Sequence, residues 1–87
     1  MELKDTIDFM VSSDYKERFI GEYLQTKIRY QKLHKMIIKH DANTLDFEMS
    51  VPIEIFKNQK SAMGNYLYSL EVRAEIEGID LKGVESE

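Results

Sequence analysis

The side chains that could do chemistry in this 87-residue chain are few, and their spacing is informative. His34 and His40 are the two histidines. Six residues apart, they lie about 240° apart on a helix and cannot share a metal ion. With no cysteine there is no thiolate metal site, no disulfide and no Cys nucleophile. HExxH, GxxxxGK[ST], GxGxxG and GxSxG motifs are all missing. Glu71 and Glu75 are four apart, a spacing that on an exposed helix is a solvated face. The expectation is a protein with no catalytic set, no metal and no cofactor.

Cations are the stronger signal. The chain carries a formal net charge of −4, yet residues 15–40 hold Lys16, Arg18, Lys27, Arg29, Lys32, Lys35 and Lys39 against only Glu17 and Glu22. From Lys27 to His40 there is no acid. On a helix, Arg29, Lys32, Lys35 and Lys39 share an arc of about 120°, with Lys27 and His34 on the other side. Two readings stand. The arc is a solvated face that also complements the helix dipole, or it is an anion site with phosphate as the natural ligand. Tyr23, Tyr30, Tyr66 and Tyr68 could offer ring faces to a base. An acidic chain without a nucleic-acid motif argues against duplex DNA and favours a small phosphorylated ligand.

Helices must position these groups. Ser12-Ser13-Asp14 offers N-caps, and Asp14 with Glu17 has capping-box spacing. Phe19, Tyr23, Thr26, Tyr30, Leu33 and Ile37 step by four and three, a heptad seam that predicts a helix over 14–39. Turn-forming residues fill 40–50, where Leu45, Phe47 and Met49 alternate with polar residues, a pattern read as a loop pinning two apolar side chains onto the helices rather than as a very short strand. Ser50-Val51-Pro52 restarts a helix with Ser as cap, and Phe56, Gln59, Met63, Tyr66, Leu70 and Arg73 form a second seam, over 51–77. Gly21 weakens the first helix, and Gly64 either weakens the second or admits a close neighbour. Gly78 is a C-cap.

The fold class read from this is all-α: an antiparallel two-helix hairpin over 14–77, with an N-terminal lead-in over 1–13 and a frayed acidic tail over 78–87. A lone hairpin buries too little surface, so the expected state is a homo-oligomeric helical bundle. No apolar run reaches the roughly 18 residues a membrane span needs. The first ten residues lack the layout of a secretory signal. Gln59 and Arg73 sit on the second seam, where they either fix register and pair with Glu22, Glu77 or another protomer, or reach a ligand.

Phe19-Ile20-Gly21-Glu22-Tyr23-Leu24, then Lys32-Leu33-His34-Lys35, together with Ser50-Val51-Pro52 and Gln59, Met63, Tyr66, Leu70 and Arg73, resemble a family of small helical phage proteins named after a crAss-like phage. The resemblance covers 14–77 and implies a phage protein acting in the host bacterial cytoplasm. A weaker similarity is to phage sponges that sequester cyclic-nucleotide alarm signals of host immunity such as CBASS or Thoeris. These too are small, helical and oligomeric, with Gln, Met and Arg along the second helix. The implied ligand set is Tyr23, Lys27, Arg29, Tyr30, Lys32, His34, Lys35, Gln59, Met63, Tyr66 and Arg73, at a protomer interface. The alternatives are a protein-interaction module inhibiting a host protein and a minor virion structural or assembly protein.

Overall fold

A computed structural model describes residues 1–81. After a 3-10 turn at Leu3–Thr6 come α1 (Ile7–Met10), α2 (Tyr15–Asp41) and α3 (Ile53–Glu77), with no strand among the described residues. The chain is all-α, and α2 and α3 run antiparallel. Glu71 meets Tyr23 and Glu77 meets Tyr15 at one end, and Lys57 meets Asp41 at the other.

Helix boundaries follow from local hydrogen bonding. Asp14 caps α2, its Oδ1 accepting from the Lys16 N–H at 3.1 Å. The expected box between Asp14 and Glu17 is relayed through Ser12. The Asp14 N–H donates to Ser12 Oγ at 3.0 Å, and that hydroxyl donates to Glu17 Oε1 at 2.6 Å. The helix runs past residue 39 to Asp41 and stops because Asn43 is left-handed at φ 58°, letting the Thr44 N–H reach the Lys39 carbonyl at 2.8 Å. Asn tolerates that conformation better than other non-glycine residues. Ser50 does not cap α3. Pro52 holds the cap position, and its carbonyl accepts from the Ile55 N–H at 3.1 Å.

Gly78 ends α3 at φ 71°, and the Ile79 N–H returns to the Ala74 carbonyl at 2.9 Å. Ile79 is then buried against the core, and Leu81 packs beside it. The chain therefore does not fray at 78–81; the rest of the expected tail, 82–87, lies outside the described residues.

The core joins Phe19, Tyr23 and Leu24 of α2 to Leu67, Leu70 and Ala74 of α3. This corrects the second seam. Phe56, Met63 and Leu70 face α2 as expected, but the places between them are taken by Lys60, Leu67 and Ala74, while Gln59, Tyr66 and Arg73 are exposed. Either row fits a four-three pattern around the same three residues. Leu67 and Ala74 win because burying them costs no polar desolvation, whereas burying Gln59 and Arg73 would.

The lead-in closes the far side of α2. Thr6 is buried, its hydroxyl donating to the Leu3 carbonyl at 2.7 Å. Gly21 permits this packing, because a Cβ there would lie 3.0 Å from the Met10 nitrogen and 3.0 Å from Phe9 Cβ. In the loop, Leu45 and Met49 are the two half-buried apolar side chains, and Phe47 is exposed.

Candidate functional site

Tyr30 projects from α2 toward Gly64 of α3. The Tyr30 ring lies against Gly64, where a Cβ would meet it at an ordinary contact distance of 3.5 Å. His34, one turn on, stacks parallel to Tyr30, with centroids 6.4 Å apart and planes within 4°. The Lys60 ammonium stands 5.8 Å from the Tyr30 centroid on the opposite helix, within cation–π range. Tyr30, Lys60 and Gly64, together with Ile37, Lys57, Ser61 and Asn65, line a groove of about 450 Å³. That volume suits a small ligand.

The groove lies between two acid-free runs. Lys27 to His40 on α2 is one, and Lys57 to Leu70 on α3 is the other. The antiparallel hairpin sets them side by side, which concentrates positive charge in a chain that is acidic overall. At the loop end Asp41 closes the zone, accepting from His40 Nδ1 at 3.1 Å and pairing with Lys57 at 3.3 Å. The hydrogen bond from His40, then Lys57, holds the Asp41 carboxyl below the usual carboxylate range.

The other expected ligand residues do not join this groove. Tyr23 is a core residue, 1% exposed, its hydroxyl donating to Glu71 Oε2 at 2.9 Å. Lys27 lies over the Tyr23 ring at 5.5 Å and donates to its hydroxyl at 3.3 Å. Lys32 pairs with Glu2 of the lead-in at 3.5 Å, and Arg29 and Lys35 are exposed on the outer side of α2. Met63 is half-buried beneath α3.

Arg73, Tyr66 and Gln59 line the opposite edge of the hairpin from the groove. Arg73 donates to the Tyr15 hydroxyl at 3.0 Å, pairs with Glu77 at 3.7 Å and sits 4.9 Å from the Phe19 centroid. Its guanidinium pKa is raised, first by the bond to Tyr15. The Tyr66 hydroxyl donates to Glu22, and that bond raises the Tyr66 phenol above its ordinary range. Arg73 is thus held by groups of its own chain, one of the two readings its position allowed.

Of the expected set, Tyr30 alone lines the groove, and His34 stacks on its ring without lining it. Lys57, Lys60, Ser61 and Asn65 were missed by sequence reasoning. Their signal is the second acid-free run, with Gly64 in its middle, lying opposite the first. Among the described residues no helix is long and apolar enough to cross a membrane, and no three His, Asp or Glu side chains converge as metal ligands do.

No curated protein and no solved structure matches the chain. A family model, Sequestin, matches residues 13–76, which cover α2, the loop, all of α3 but its last residue, and every groove residue. With about three quarters of its length matched, the chain belongs to the Sequestin family.

Proposed function

We propose that this protein binds a small cyclic nucleotide immune signal and sequesters it without turnover, as a phage anti-defence protein in the host bacterial cytoplasm. The observation that carries the reading is the Tyr30 groove: an aromatic ring with cations at its rim, between two acid-free helix runs. A base stacks on Tyr30, an interaction worth about 1–3 kcal/mol. Lys57 and Lys60 meet phosphate oxygens, and the Asn65 amide and Ser61 hydroxyl address the base edge. The family's name fits a chain that holds a molecule. Copies of the chain associate, because a hairpin this thin leaves Ile38, Phe47, Val51, Ile55, Val72 and Ile76 exposed.

Calorimetry tests this with cyclic di- and trinucleotides and cyclic ADP-ribose isomers at about 10 µM protein. Heat of binding is expected for at least one, weakened by salt and at least about tenfold by Tyr30→Leu or Lys60→Ala. No heat with any of them, or full affinity in both variants, refutes the groove as a nucleotide site.

One observation favours a second reading. Ile38, Phe47 and Ile55 are each more than half exposed near the loop end, beside Lys35, Lys39 and Lys57. Such a surface suits docking on an acidic host protein, and a stoichiometric host partner in a lysate pull-down would favour it over sequestration.

A further inference from the structure

The cationic arc on the outer side of α2 is not used by the Tyr30 groove. Lys39 stands nine residues from Tyr30, or about 180° round the helix. On that side Lys32, Lys35 and Lys39 line a cleft of about 210 Å³ together with Met36, Leu45 and Phe47. Asp46 is the one carboxylate among its described lining residues. Lys32 shares its charge with Glu2 at 3.5 Å. Among the described residues, Lys35 and Lys39 make no ion pair.

The loop joins this cleft to a second cavity. The Thr44 N–H and hydroxyl both donate to the Lys39 carbonyl, at 2.8 and 3.3 Å, which folds the loop back on the end of α2. Leu45 and Phe47 then line both the lysine cleft and a cup of about 450 Å³ formed with Met49, Val51, Pro52 and Ile53. The polar residues of the cup are Asn43 and His40, and His40 is already bonded to Asp41 at 3.1 Å. Phe47, at the boundary, is 55% exposed, so apolar surface lies uncovered beside cations. A bare inorganic anion would leave that surface wet, and an uncharged hydrocarbon would leave the ammonium groups unused.

We propose that this end of α2 and its loop bind a single-chain anionic amphiphile, with the phosphate or carboxylate head on Lys35 and Lys39 and the hydrocarbon tail across Phe47 into the cup. The site shares no residue with the Tyr30 groove. One molecule suits it better than a bilayer surface. Asp41, Asp46, Glu48 and Glu54 belong to the same end of the hairpin, and a flat anionic membrane would meet them together with the lysines. A single head on Lys35 and Lys39 has only Asp46 beside it in the cleft. A nucleotide suits it less, because the cup is poor in the polar groups that a base edge needs.

Calorimetry on the whole chain with butyl, hexyl and octyl phosphate, each below its micelle concentration, tests it. Affinity is expected to rise about fourfold per methylene, or about 15-fold for each two-carbon step, and to fall with salt. Lys35→Glu combined with Lys39→Glu should weaken all three by at least about tenfold and leave the chain-length trend in place. Phe47→Ser should flatten that trend while butyl phosphate keeps its wild-type affinity. All three positions are exposed, and helical circular dichroism checks that the fold is intact. No binding of octyl phosphate, equal affinity across the series, or normal binding by both variants overturns the proposal. So does adenosine monophosphate or octyltrimethylammonium binding as tightly as octyl phosphate, or binding to phosphatidylglycerol vesicles without binding of the monomer. No substitution here touches a residue of the Tyr30 groove, so failure of this site is separate from a failure of nucleotide binding.

Discussion

Replacing Gly21 with alanine sets two physical effects against each other. Alanine in a helix interior is favoured over glycine by about 1 kcal/mol, so propensity alone predicts a stabilised protein. Packing predicts the reverse. The new Cβ would lie 3.0 Å from the Met10 nitrogen and Phe9 Cβ, and 3.1 Å from Met10 Cγ. The nitrogen is backbone and cannot rotate aside, so α1 must shift or detach. Overpacking of this kind costs about 1–3 kcal/mol. Detachment also exposes the buried Thr6 and the half-buried Phe9, adding to the loss. The expected net is a loss of about 1 kcal/mol, read as a melting temperature about 4–8 °C lower.

Gly64→Ala is the matched control. Its Cβ would meet the Tyr30 ring at an ordinary 3.5 Å, so the propensity gain survives and stability rises by up to about 1 kcal/mol. The added methyl also narrows the groove and should weaken ligand binding. Both variants are compared by urea denaturation at one protein concentration, since self-association would shift apparent stability. If Gly21→Ala is stabilised as much as Gly64→Ala, the close seating of the lead-in on α2 is wrong.

Two further outcomes can be measured. Leu70→Ala should cost about 2–5 kcal/mol, because Leu70 is wholly buried between α2 and α3; a loss below about 1 kcal/mol by urea denaturation would mean the core is elsewhere. The Tyr66 phenol should titrate above the ordinary tyrosine range and return to it in Glu22→Gln, followed by ultraviolet difference against Tyr66→Phe. Since its folded-state value is raised, the stability from this bond is full below the unfolded tyrosine value near 10 and is lost as pH climbs through the folded one.

Much of the architecture was legible in the residue order. Apolar spacing is a local property, and it marked two long helices, the turn between them and Phe19, Tyr23, Tyr30 and Ile37 as the inward row of α2. The stop at Gly78 was legible because a left-handed residue without a Cβ costs little there. The stop at Asn43 was not, since Asn is equally at home in many loop conformations. The rotation of α3 was also hidden. Phe56, Met63 and Leu70 belong to two equally spaced rows, and periodicity weighs neither. Only the desolvation of Gln59 and Arg73 against that of Leu67 and Ala74 separates the rows, and that difference exists only once α2 is in place.

The candidate site divides in the same way. By itself the order of residues determined that the chain has a cation-rich first helix, no acid from Lys27 to His40, and no metal or nucleophile motif. Tertiary structure decided which of those groups act together. It sank Tyr23 into the core, tied Arg73 to Tyr15 and Glu77, and set Lys60 over Tyr30 from thirty positions along the chain. The physical reason is that a hydrophobic period specifies one helix at a time, whereas a groove is a property of two helices in register, and register is settled by the packing between them.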